Sequence, residues 1–156
     1  MNHTVKCLLL PLRGTALLLP ASWVQEIIPA MPLQPGDIGG DGEDDWHLGW
    51  VSIRGKKVMV IGIEPLLGAP LPDLALQQRL ALLHDIDNAS VLALRLDALP
   101  QVRIIGPADM TPLSDVDEEQ MRWGQWVYHQ GERVLIPDMK ALSLLVGEAL
   151  SLSSMV

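Results

Sequence analysis

The sequence predicts a mainly β protein, a barrel or sandwich, and three observations carry that prediction. Short apolar runs recur along the chain, each bounded by glycine, proline or a charged pair, which is the pattern of strands joined in hairpins. Helical periodicity is confined to brief stretches. Hydrophobic residues make up 49% of the 156 and charged residues 19%, a composition that builds a core and excludes a disordered chain. About nine or ten strands can be counted. Divided between two sheets of about five, neither sheet would stand alone; curling them into barrels removes exposed edges and lets them share an apolar seam. One domain is expected over residues 1–156, with its midpoint near the proline-bearing connector at residues 69–75.

Taken in order, Cys7 to Leu12 and Thr15 to Leu19 read as two strands joined at Arg13-Gly14, where glycine can supply positive φ. The same leucine-rich stretch imitates a secretory signal. A true signal core is unbroken, whereas this one is cut by Pro11, Arg13 and Gly14, so a cytoplasmic protein is expected; a secreted protein would instead begin at or after Trp23 once matured. Ser22 reads as an N-cap with Gln25 as its capping-box partner, followed by a short helix with Trp23, Val24, Ile27 and Ile28 on one face, ended by Pro29. Residues 29–45 form a loop with three prolines and an acidic glycine-rich tail.

The strongest local signal follows. Trp50 to Ile53 and Val58 to Ile63 are two apolar β runs joined by Arg54-Gly55-Lys56-Lys57, a basic hairpin turn. Glu64-Pro65 stops the second run, and Leu66-Leu67-Gly68 fits one helical turn closed by glycine. Gln78 to His84, Ser90 to Leu96 and Val102 to Ile105 read as further strands, with the imperfect alternation of the second suiting burial on both sides. Residues 114–120 form an acidic loop or a turn of helix. Trp123 to Tyr128 and Arg133 to Ile136 make a last hairpin around Gly131, and Asp138 caps a closing helix from Met139 to Leu150 with Met139, Leu142, Leu145 and Val146 as its buried stripe.

The net charge of −8 argues against nucleic acid or an anionic membrane, which call for clustered Lys and Arg. No stretch is long and apolar enough for a helical membrane span. Cys7 is the single cysteine; its apolar flanks make it a core thiol in a reducing compartment rather than a nucleophile. The four histidines, His3, His47, His84 and His129, are scattered without metal-ligand spacing, and His84-Asp85-Ile86-Asp87 is explained by a turn. The glycines make neither a dinucleotide nor a Walker pattern. No catalytic residues, no metal and no cofactor are therefore expected. An alternative reading keeps the acidic loop Asp37 to Asp45 as the ligand or metal site of a small β-barrel accessory domain. Phenylalanine is absent, so five tryptophans supply most of the large aromatic volume; Trp50 and Trp126 are expected inside, and Trp23 and Trp46 at the surface.

The run from Gly49 through Ser52-Ile53-Arg54-Gly55 to the apolar strand and Ile63-Glu64 resembles the CheW-like family of chemotaxis coupling proteins, which usually has Asn where Ser52 stands and Asp-Leu where Ile63-Glu64 stands. Val24-Gln25-Glu26-Ile27, Asp97, the Gly106 to Leu113 link and the closing hairpin with its Asp and helix are similar to further family features, so the resemblance spans about residues 5 to 145. It implies two intertwined five-stranded SH3-like β-barrels with short helices. It also implies a non-enzymatic adaptor that couples the cytoplasmic tip of a methyl-accepting chemoreceptor to the regulatory domain of a CheA-type histidine kinase. An apolar groove between the barrels would take the receptor and a separate edge or barrel end the kinase. Val24, Glu26, Gly49, Ser52, Arg54 and Gly55 are the partner-binding residues this implies, with Arg54 holding the receptor groove in shape while pairing with a neighbouring acid, Glu64 or Asp97. The departures at Ser52 and Glu64 imply a divergent member, serving a pathway such as surface motility.

Overall fold

Hairpins set the architecture, and the computed structural model describes them over residues 4–34, 46–83 and 92–145. The strands are β1 (Val5–Leu12), β2 (Thr15–Pro20), β3 (Val24–Pro29), β4 (His47–Ile53), β5 (Lys56–Ile61), β6 (Arg79–Leu83), β7 (Leu92–Leu96), β8 (Gln101–Ile105), β9 (Thr111–Pro112), β10 (Gly124–His129) and β11 (Glu132–Pro137). A short helix α1 (Glu118–Met121) precedes β10, and a closing helix α2 begins after Asp138 and is described over 139–145.

β1 and β2 meet at Leu12 and Thr15, β4 and β5 at Ile53 and Lys56, β10 and β11 at His129 and Glu132. Each loop therefore has two residues: Arg13-Gly14, Arg54-Gly55 and Gln130-Gly131. Arg54 and Gln130 have φ of 51° and 50°, each followed by a glycine at 79° or 76°, the positive pair that matches strand twist in a type I′ turn. The turns predicted as Arg54 to Lys57 and His129 to Glu132 are thus tighter than expected, with Lys56, Lys57, His129 and Glu132 inside strands.

The chain weaves between two sheets. β1 and β2 start the first, β3 to β7 form the second, and β8 to β11 return to the first. The orders are β8-β1-β2-β11-β10-β9 and β3-β6-β7-β5-β4. Both chain crossings produce parallel contacts, β11 with β2 and β5 with β7. This is the intertwined arrangement expected, with six strands in one sheet where five were expected.

Alternation along the strands divides the core in three. Cys7, Leu9, Ala16, Leu18, Ile105, Val127 and Val134 fill the first barrel, and Val51, Val58, Val60, Leu80, Leu82 and Ala93 fill the second. The alternate residues, among them Leu10, Leu17, Leu19, Met59, Ile61, Leu94, Trp126 and Leu135, meet in one cluster between the sheets. Both faces of β1, β2, β5, β6 and β7 are therefore buried. Two polar ties cross the seam: the Asp97 amide donates to the Pro11 carbonyl at 2.8 Å, and the Arg13 amide donates to the buried Glu64 carboxylate at 3.3 Å.

The helix expected from Ser22 to Ile28 is a correction. Only a 3-10 turn forms, Ala21–Trp23, and Val24–Pro29 is a strand paired with β6. Val24, Ile27 and Ile28 are β-branched, and the long-range ladder outweighs a local helical spacing. A bulge between Val24 and Glu26 supplies the offset that imitated a helical face. The turn after β5 is as expected: Glu64–Leu67 is 3-10, closed by Gly68 at φ 80°. Asp138 caps α2, its Oδ1 accepting the amides of Lys140 at 3.0 Å and Ala141 at 3.2 Å. The acidic loop Asp37 to Asp45, the turn from Asp85 to Ala89 with the strand ends beside it, and the expected helix beyond 145 lie outside the described residues.

Replacing the fully buried seam residue Leu135 by alanine should lower unfolding free energy by about 2–5 kcal/mol, while Leu99→Ala, at a 60% exposed site, should stay within roughly 0.5 kcal/mol; urea denaturation of both checks this.

Candidate functional site

The second sheet ends in β3 on one side and β4 on the other, and the candidate residues sit where these two edges come together. Just past β3, Gln34 pairs with Trp50 of β4 through two backbone hydrogen bonds of 2.8 Å. Gly49 makes that approach possible. Its φ is 140°, and a Cβ there would lie 2.5 Å from the Gln34 carbonyl oxygen, so no larger residue fits without parting the edges.

At the hairpin end of the same closure, the Arg54 guanidinium meets the Glu26 carboxylate, Nη1 to Oε1 at 2.6 Å and Nη2 donating to Oε2 at 2.9 Å. The partner is neither of the acids expected for Arg54, Glu64 and Asp97. Glu64 is buried at the seam and Asp97 is tied by its backbone to β1. The positive φ of Arg54 is what points its side chain from the turn across to β3. The Arg54 hydrogen bond holds the Glu26 carboxyl below its ordinary range, with partial desolvation opposing and the guanidinium charge assisting. Glu26 in turn raises Arg54.

Of the six residues named from the sequence, the structure brings Glu26 and Arg54 into direct contact, and Gly55 completes their turn. Ser52 is exposed on β4 opposite Lys57, and Gly49 is buried beneath Gln34. Val24 is half-buried and packs against the seam cluster. Sequence reasoning missed the group beside them: Lys57 Nζ lies 4.5 Å from the Trp50 ring centroid, and the His47 ring meets Trp46 and Trp50 edge-on at 5.9 and 5.6 Å. The hairpin register was a signal for the Trp50–Lys57 contact, since Lys57 stands opposite Ser52, two residues from Trp50 on the same face, whereas His47 joins Trp50 through the register shift between His47 and Gly49, which strict alternation hides.

The tryptophans require two corrections. Trp46 is buried at 5%, packed in the seam cluster rather than at the surface, and Trp50 is half-buried under Lys57 rather than inside. Trp126 is inside and Trp23 is 40% exposed, as expected; Trp23 forms one wall of a depression of about 600 Å³ with Pro137, Met139, Lys140 and Leu144. The space between the barrels is a packed seam, and at its margin Arg13, Thr15, Glu64, Leu67, Gln120 and Trp126 line a depression of about 220 Å³.

Cys7 is buried in the first barrel, and burial raises its pKa, which suits a core thiol. Among the described residues no three His, Cys, Asp or Glu side chains converge as a metal site, and no helix is long and apolar enough to cross a membrane.

Fold and site together define a double-barrel β domain whose distinctive polar feature is a latch between sheet edges. The family model for the CheW-like domain matches residues 6–145, and the chain belongs to that family. In three dimensions it is similar to the crystal structure of the scaffolding protein TtCheW from Thermoanaerobacter tengcongensis, with a TM-score of 0.70 and 15% identity over 89% of this chain and 87% of that one. A search of curated proteins found no match. Family membership supports a chemotaxis coupling scaffold, and the structural likeness establishes the fold.

Two outcomes follow from the latch. Gly49→Ala should cost about 2 kcal/mol or more, because positive φ and the Gln34 carbonyl both oppose a methyl group, whereas Gly55→Ala, with open space around it, should cost about 1 kcal/mol; chemical denaturation separates them. Because the folded-state pKa of Glu26 is depressed, its contribution to stability is present above the ordinary glutamate pKa and lost as pH falls through the depressed value. The stability difference between the native chain and Glu26→Gln should therefore persist from neutrality down to roughly pH 4.3 and close below it, and should also shrink in molar salt.

Proposed function

We propose that this protein is a non-enzymatic adaptor that couples the cytoplasmic tip of a methyl-accepting chemoreceptor to the regulatory domain of a CheA-type histidine kinase, in chemotaxis or surface motility. The observation that carries this reading is the Arg54–Glu26 pair, which joins two of the residues that the resemblance assigns to partner binding and fixes the hairpin end of the second barrel. Val24, Glu26, Ser52, Arg54 and Gly55 form the partner-binding surface, with Gly49 holding the backbone beneath it. In this reading the receptor's helical tip buries apolar side chains against the barrel surface near the seam, and the ion pair at the rim sets its register. The kinase domain takes a separate sheet edge or barrel end. The protein works in the cytoplasm, where the single buried Cys7 stays reduced.

Arg54→Glu places two carboxylates together and should weaken capture of the cognate receptor tip by roughly tenfold in a pull-down or titration, with the fold intact by circular dichroism. The exchanged pair Arg54→Glu with Glu26→Arg restores the latch; recovery of binding assigns the pair a shaping role, and continued loss assigns Arg54 a direct contact. Undiminished binding by the folded single variant overturns the proposal.

A further inference from the structure

The second sheet latches its two edges together, but the first ends openly in β8 and in the two-residue β9. β8 is the longer of these terminal strands, pairing with β1 over five positions, Val5↔Ile105 to Leu9↔Gln101, and with no other strand among the described residues. On its outer face Val102 and Ile104 are 58% and 62% exposed, two β-branched side chains at the spacing of one strand face. An edge with free backbone groups and an apolar outer face is a template for another strand.

Charge narrows what that strand can be. Lys6 lies opposite Ile104 on the outer face, exposed, and makes no ion pair among the described residues. On the inner face, Arg103 lies opposite Cys7 at the barrel mouth, where Leu9, Pro11, Ala16, Gln101 and Glu132 share a cavity of about 510 Å³ with it. Its Nη groups donate to the neutral side-chain amides of Gln130 and Gln101, and its Nε is buried with no hydrogen-bond partner among the described residues. In a chain of net charge −8, this edge carries a cation on each face, neither of them in an ion pair with a carboxylate among the described residues. A second copy of the same edge would bring Lys6 and Arg103 against their own kind. An acidic strand would not.

We propose that β8 is a docking edge for an extended segment of a partner protein in which apolar residues alternate with Asp or Glu. The segment pairs its backbone with β8, lays its apolar side chains beside Val102 and Ile104 on the outer face, and by alternation directs its carboxylates on the inner face toward Arg103. This edge belongs to the other sheet from the Arg54–Glu26 latch, and the proposal stands independently of that site.

The test uses the full chain and a capped nine-residue peptide of alternating valine and glutamate, followed by fluorescence anisotropy and by amide exchange. Saturable binding with new protection of the residue 101–105 amides is expected. Arg103→Gln and Ile104→Lys should each weaken it by roughly fivefold, the scale of one cross-strand pair, while Arg54→Glu leaves it unchanged. Ile104 is exposed, so its variant tests the edge without disturbing the core. Several results overturn the proposal: no binding at millimolar peptide, equal binding of a valine-lysine peptide, or equal binding of a peptide N-methylated on the pairing edge. So does equal displacement by free glutarate, which would make the mouth a small-carboxylate site. If the cations serve only to keep edges apart, Lys6→Gln and Arg103→Gln will self-associate by sedimentation without any change in peptide affinity, and that also overturns it.

Discussion

Neither sheet can bury its apolar residues without the other, and the shared seam is the constraint on which the rest of the structure depends. In a lone barrel one strand face would meet solvent. Here the outward faces of β1, β2, β5, β6, β7, β10 and β11 converge on one cluster, and the chain crosses between sheets so that each barrel contains strands from distant parts of the sequence or packs directly on them. The division of side chains follows from the space available. The barrel interiors hold Val, Ala, Cys, Ile105 and some Leu, whereas the seam takes most of the Leu, Met and Ile and all the buried tryptophans, Trp46, Trp123 and Trp126. Large residues gather where two curved surfaces leave the greatest gap.

The same two-sided burial explains what was legible in the sequence. Leu8-Leu9-Leu10 and Leu17-Leu18-Leu19 imitate a signal core because alternate leucines serve different hydrophobic clusters, leaving no polar face to show strand alternation. The hairpins were visible because glycine marks their positive-φ corners. Their true length of two residues was not, since Lys56, Lys57, His129 and Glu132 are polar yet lie in strands: Lys56, Lys57 and Glu132 are exposed at the hairpin ends, and His129 is buried with its ring against the Asp109 carbonyl. The strand over residues 24–29 was hidden because a bulge shifts its alternation by one, producing helical spacing from an extended chain.

The candidate site was legible in its members and not in their connection. Arg54 and Glu26 are both residues the resemblance singles out, but they are 28 residues apart, Glu26 on β3 and Arg54 in the turn that follows β4, at opposite ends of a five-stranded order. Only closure of the barrel makes them neighbours, and closure depends on Gly49 admitting Gln34. Glu64, the acid closer to Arg54 in sequence, is drawn inward by the Arg13 amide instead. Near it, Arg95 is buried enough that desolvation lowers its pKa, with Glu64, Asp73 and Asp97 counteracting, and it donates to the Pro72 carbonyl at 2.6 Å. That network holds the connector between the barrels, and it consumes the acids the sequence offered to Arg54.

The two barrels thus handle the same problem, an open sheet edge, with the same side-chain chemistry and opposite results. In the second, a guanidinium from one edge finds a carboxylate on the other, and the edges are latched. In the first, Arg103 reaches across the mouth to Gln130 and finds only neutral amides, which orient it without neutralising it. The closing link from residue 106 to 110 is tied to β10 by the His129 ring and the Asp109 carbonyl, so the barrel is held shut at that end without calling on β8. An edge strand free of any duty in closure can accept a partner strand without loss of internal structure, and a net acidic surface around a locally cationic edge selects among acidic partners by where they can approach without repulsion. The asymmetry places shape-keeping in one barrel and leaves unspent pairing capacity in the other.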